Sequence, residues 1–268
     1  MIFLLLRAKY LFSLCVSLFQ NFSGSIAAPS STATRNSIGT NNSISPGANI
    51  ANNVIFGSSN TISAGVQIRN GARIGSSNSI LGGIIGEGAS VGNSNTVRGN
   101  AEIGQRTTIN NSNTIRGFVG SDVKIDNANT IDVSGRVGNA AIIQNGVTIA
   151  GTIGERAEIS NGVSVLGQAV VGNDCFLGDA VSVLGLAHLE NNVRVGRSTM
   201  IGRSARIGAD SRLGEVCVED NAVLPRGSQV QDRGMVNSSG RIIPAPADVN
   251  RRFFYFSGSC IERGSRFP

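Results

Sequence analysis

The 268-residue sequence has no tryptophan, a single histidine and only 5% aromatic residues. Each scarcity excludes something. Without large rings there is little to fill a thick globular core, whereas Ile, Val and Leu mixed with Gly, Asn, Ser and Thr suit a thin β-coil. Gly-Lys-Ser phosphate loops, Gly-x-Ser-x-Gly elbows and metal-spaced Cys and His clusters are all missing, so neither a metal ligand set nor a cofactor is expected. Lysine is nearly absent too: arginine carries almost all of the basic charge behind a net +6. Much of that charge falls beyond Gly234, at Arg241, Arg251, Arg252, Arg263 and Arg266. A polyanion partner suits this balance, but without aromatic interleaving in the body of the chain specific nucleic-acid binding is not expected. The four cysteines do not read as a disulfide framework. Cys15 lies in the apolar N-terminus and Cys260 in the tail. Cys175 and Cys217 are expected as buried free thiols on different faces, because a bridge needs Cα atoms within about 7 Å.

What the chain has in abundance is glycine, 35 residues of it, and repetition. Phe56-Gly-Ser-Ser-Asn60-Thr61-Ile62 recurs as Ile74-Gly-Ser-Ser-Asn78-Ser79-Ile80, as Val91-Gly-Asn-Ser-Asn95-Thr96-Val97 and as Ile109-Asn-Asn-Ser-Asn113-Thr114-Ile115. Degenerate copies add Asn42 and Asn129, so the asparagines are spaced by 18, 18, 17, 18 and 16 residues. Large apolar residues recur every six positions from Ile38 to Val230. Glycine often follows directly, and a small or apolar residue comes four positions later. Three such hexads make one triangular coil of about 18 residues whose aliphatic and small positions point inward. Shortened hexads at 80 to 85, 115 to 119 and 149 to 153 share one corner of the triangle; the one at 213 to 218 falls at another.

This pattern resembles the hexapeptide-repeat family over roughly Ile38 to Val230. The resemblance implies an all-β fold, a single-stranded parallel β-helix of about eleven triangular coils, and a left-handed one. Residues 1–27 read as a secretory signal, with small residues before a cleavage site after Ala27. Residues 28–37 read as a linker, 38–230 as the β-helix and 231–268 as a C-terminal cap or flexible tail. In that tail the aromatic run Phe253 to Phe256 is expected to cover the open end of the coil. A secreted or cell-surface location follows; the alternative is a membrane anchor formed by an uncleaved N-terminal segment.

Three candidate sites emerge. Asn42, Asn60, Asn78, Asn95, Asn113 and Asn129 form an inward column, expected as an amide ladder of structural purpose. Outside it run Asn41, Ser59, Ser77, Ser94, Ser112 and Ala128 on one side, and Ser43, Thr61, Ser79, Thr96, Thr114 and Thr130 on the other. The hydroxyls among them (Ser59, Thr61, Ser77, Ser79, Ser94, Thr96, Ser112 and Thr114) are a candidate binding face. They resemble the Thr-x-Thr face of insect β-helical antifreeze proteins, which implies ice binding as one alternative. The third site is His188. Ala187-His188-Leu-Glu-Asn191-Asn192-Val-Arg-Val195-Gly196 is similar to a stretch of lipid A-type acyltransferases. That resemblance implies a homotrimer, an acyl-CoA or acyl-carrier-protein donor, and a histidine base. His188 matches the first histidine of the family pair, whereas Asn191 stands where the base would be, and asparagine takes no proton at neutral pH. Carbonic anhydrases of this fold use three histidines for zinc, which a single His does not supply. The main expectation is therefore a secreted, non-catalytic solenoid with a structural, adhesive or surface-binding role and a polyanion or glycan as ligand. Acyl transfer through His188 at a trimer interface is the principal alternative.

Overall fold

A computed structural model describes residues 35–245 and 253–262. The expected signal segment and the linker residues up to 34 lie outside the described residues. Each hexad contributes a two-residue strand whose first side chain points outward and whose second, almost always Ile, Val or Leu, is buried. Alternation over two residues satisfies the strand period of two, and the other four residues turn the corner. Every third strand pairs in parallel with its successor one coil on, Ile62 with Ile80 and then Val97 for example. The result is a triangular prism with three sheets. Sheet 1 starts at Ser37–Ile38 and has 12 strands, sheet 2 starts at Ser43–Ile44 and has 13, and sheet 3 starts at Asn49–Ile50 and has 11. That makes eleven complete coils, and no helix forms among the described residues.

The core is one continuous stack of aliphatics, in which Ile62, Ile68, Ile74, Val171, Leu177 and Val183 are at most 2% exposed. Fully burying each such side chain contributes on the order of 1.5–3 kcal/mol. The glycine after the aliphatic is there because coils crowd at that point, not because φ is positive. A Cβ at Gly75 would sit 2.5 Å from the carbonyl oxygen of Gly92. Positive φ falls instead two residues later, at Asn41, Ser59, Ser77, Ser94 and Ser112. The three shortened hexads all lie between sheets 2 and 3, and the fourth between sheets 1 and 2.

Three features of the C-terminal part differ from expectation. The coils run past Val230 to Met235–Val236, and Ile242–Ile243 then pairs antiparallel with that strand. Phe253–Phe256 forms a hairpin with Ser259–Glu262 that packs on the flank of the prism at Cys217–Val218, not over its end. Cys217 and Cys260 are joined in a disulfide, with Cα atoms 6.0 Å apart. The physical reason is the shortened hexad before Val218. It hands the inward small position to Val216 and turns Cys217 outward, where the hairpin buries it. Cys175 alone remains a buried free thiol among the described residues.

Candidate functional site

The inward asparagines are buried from Asn60 to Asn129 and linked rung by rung. At Asn95 the backbone N–H donates to Asn78 Oδ1 at 2.8 Å, and Nδ2 donates to the same oxygen at 3.2 Å and to the Asn110 carbonyl at 2.8 Å. Its own Oδ1 accepts both N–H groups of Asn113 in turn. Asn42 begins the column and Asn129 ends it: its Oδ1 accepts from the Val147 N–H, while its Nδ2 is buried with no partner among the described residues. From Asn42 to Asn113 each side chain thus serves a backbone amide of the next coil as well as a neighbouring side chain. Thr199, later in the same column, does this with a hydroxyl: Oγ1 donates to the Gly214 carbonyl and accepts from the Val216 N–H.

A second ladder, which sequence reasoning missed, runs along the outside of the same corner with opposite polarity. The N–H of Asn93 donates to Asn111 Oδ1, Asn111 to Asn127, Asn127 to Asn145, Asn145 to Asn161, and Asn161 to Asp179, all within 2.8–3.2 Å. Its signal was the recurrence of Asn two positions after the sheet 1 aliphatics from Val91 to Ile159.

The two hydroxyl columns do not form one flat array. Thr61, Ser79, Thr96 and Thr114 project from sheet 2, and the column continues unbroken through Thr148, Ser164 and Ser182. Ser59, Ser77, Ser94 and Ser112 are corner residues in the left-handed region, set off from the sheet plane. A left-handed residue turns the chain, so it cannot extend a strand surface.

His188 stands exposed on sheet 3, in register between Val170 and Arg206. Its ring has no hydrogen bond to any described residue. Asn191 lies around the next corner with its Oδ1 accepting the Asn173 N–H, and Glu190 Oε2 accepts the Ala209 N–H, so neither orients the imidazole. Beside His188 the tight corner between sheets 2 and 3 presents Leu186, 60% exposed, with Leu166 one coil back; exposed Val133 and Leu81 stand on the same corner three and six coils away. Val170, paired with His188, adds half-buried apolar surface on sheet 3. Cys175 is not a second nucleophile: burial pushes its thiol up, and Sγ donates to the Glu190 carbonyl. No group of three or more His, Cys, Asp or Glu side chains among the described residues could hold a metal ion.

On the C-terminal flank the hairpin is pinned by the disulfide and by three hydrogen bonds. Tyr255 Oη donates to Asp220, the Cys260 N–H to Glu219 and the Asp220 N–H to the Gly258 carbonyl. Burial, with the Asp220 carboxylate, pushes the Tyr255 phenol up, so it remains a donor. A shallow depression under the hairpin is lined by Ser198, Glu215, Arg233 and Phe253. Exposed ion pairs stitch successive coils elsewhere: Arg106 to Asp122, Arg156 to Asp174 and Arg226 to Asp210. The Arg106 and Arg156 guanidinium hydrogen bonds hold Asp122 and Asp174 below the usual carboxylate range; Asn192 and then Arg226 do so for Asp210.

Neither a protein-family model nor a curated protein sequence matches the chain. Solved structures do. A UDP-N-acetylglucosamine acyltransferase from Arabidopsis matches with 16% identity and a TM-score of 0.45, over 72% of this chain and 70% of its own. The Campylobacter jejuni acyltransferase of the same name matches with 17% identity and a TM-score of 0.41, over 74% and 70% of the two chains. The Moraxella catarrhalis O-acyltransferase matches with 21% identity and a TM-score of 0.32, over 72% and 70%. The likeness is one of fold: a hexapeptide-repeat parallel β-solenoid. The expectation of a non-catalytic solenoid is corrected by the names of these matches, which are acyltransferases.

Proposed function

We propose that this chain is an acyltransferase that moves an acyl group from a CoA or carrier-protein thioester to a hydroxyl or amine, with His188 as the base. The observation that carries the proposal is the placement of His188. It is the chain's one imidazole, solvent-accessible and unengaged, beside an apolar flank suited to an acyl chain and one rung from a guanidinium. In the proposed step the imidazole takes the acceptor's proton as its heteroatom attacks the thioester carbonyl. The tetrahedral oxyanion lies toward Arg206, where a positive charge stabilises it. Collapse breaks the C–S bond, and the departing thiolate recovers the proton from the imidazolium.

A homotrimer belongs to the same proposal. Exposed apolar side chains beside a site mark an interaction surface, and a second subunit laid against Leu186 and Leu166 would enclose His188 and supply the orienting group that no described residue provides. An oxidising compartment belongs to it as well; the Cys217–Cys260 bridge supports this, since structural disulfides persist there and are rare in reducing cytosol. The test follows thiol release from an acyl-CoA and, separately, from an acylated carrier protein, with purified chain and a polyhydroxylated acceptor. Release faster than the protein-free rate with either donor is the expected result. Two flat traces would end the reading.

A further inference from the structure

Charged side chains on the strands of this prism are kept apart, with one exception. Along sheet 1 the outward register reads Glu158, Phe176, Arg194, Arg212 and Gln229. Arg194 and Arg212 are paired Cα to Cα, the only described strand register in which two side chains of like formal charge meet. Both are exposed, and neither has an ion pair among the described residues, whereas Arg106, Arg116, Arg156 and Arg226 each face a carboxylate one coil away. The carboxylates nearest in sequence have partners: Glu190 accepts the Ala209 N–H, Asp210 binds Asn192 and Arg226, and Glu215 lies 3.8 Å from Arg197. Like charges directly opposite on a sheet are destabilising, so an unliganded pair of this kind weakens the coil that carries it.

Two guanidinium forks on strands about 4.8 Å apart can hold one tetrahedral oxyanion between them, each donating two hydrogen bonds. Phe176 is in register with Arg194 on the side away from Arg212 and is half-buried, so a ring adjoins the pair. We propose that Arg194, Arg212 and Phe176 form a binding site for a saccharide bearing a phosphate or sulfate ester. The oxyanion lies between the guanidiniums, and the apolar CH face of the sugar ring packs on Phe176. The site is on sheet 1 and His188 is on sheet 3, so it stands or falls independently of acyl transfer.

Calorimetry on the full chain with four probes tests this: glucose, inorganic phosphate, glucose 6-phosphate and glucose 6-sulfate. Both esters, or one of them, bind more tightly than inorganic phosphate, and glucose alone does not bind; the stronger ester identifies the natural substituent. Arg212→Gln weakens ester binding about tenfold or more, in line with the loss of charge-assisted hydrogen bonds. Phe176→Ala brings the ester down to the affinity of phosphate. Arg212→Gln also raises the thermal midpoint of the unliganded chain and abolishes the rise that ester produces in the wild type. Absence of ester binding, unchanged affinity in Arg212→Gln, or a lower unliganded midpoint with the ligand-induced rise intact would overturn the site.

Discussion

At the scale of the residue, the asparagine column shows what one side chain does for a coil. Asn95→Val removes the acceptor of the buried Asn113 N–H and the donors to Asn78 Oδ1 and the Asn110 carbonyl. Unsatisfied buried groups cost about 1–3 kcal/mol, and chemical denaturation of the variant should show a loss in that range. Replacing every rung by valine is attractive on sequence grounds, because Val147, Val163 and Val181 occupy the same column. The hydrogen bonds argue otherwise: valine can pair away the side-chain amides but cannot accept from the backbone N–H of the next coil. Whole-column replacement is therefore expected to cost more than the single substitution. Asn129→Thr is the opposite case. Its Nδ2 is already orphaned, and Thr199 shows that a hydroxyl can serve this position, so the change should be neutral or stabilising in the same assay.

At the scale of the element, corner and strand make different demands. Gly75→Ala forces a Cβ to 2.5 Å from the Gly92 carbonyl oxygen and 2.6 Å from Asn93 Oδ1. Overpacking of this kind costs about 1–3 kcal/mol, sometimes more. Gly65→Ala meets no atom within 4 Å and only bears a positive φ of 78°, so it should be the milder of the two in thermal melts. The hairpin Phe253–Phe256 with Ser259–Glu262 is held to the coil by its disulfide and three hydrogen bonds. Cys260→Ser should speed hydrogen exchange in the hairpin while leaving the coils from Ser37 to Leu213 unchanged. The period of six, the triangular coil and the inward aliphatics were legible in the sequence because they are local and repeat. Cys217 was misread because a single deleted residue reverses which way a strand side chain points. The hairpin's seat was not legible, since it depends on contacts between residues 41 or 43 apart that no local pattern encodes.

At the scale of the whole molecule, ion pairs and the His188 flank set the behaviour to be measured. Asp122, Asp174 and Asp210 have folded pKa values below their ordinary ones. Their contribution is thus present above the ordinary carboxylate range and is lost as pH falls through the depressed values. All three are exposed, so solvent screens the effect. Asp122→Asn with Asp174→Asn should lower the melting temperature at neutral pH and converge on the wild type in strong acid. His188 could be placed on an outer face from the alternation around Ala187 and Leu189. The surface beside it could not, because Leu166 and Leu186 are twenty residues apart in sequence and are brought onto adjacent coils only by the stacking of one corner. The most direct measurement compares acyl transfer by wild type and His188→Ala, with both shown to be equally folded by their melting curves. A positioned base contributes about 10²- to 10⁴-fold, so the account predicts a loss of at least about a hundredfold, with the coil intact. Transfer at the wild-type rate by His188→Ala would contradict it.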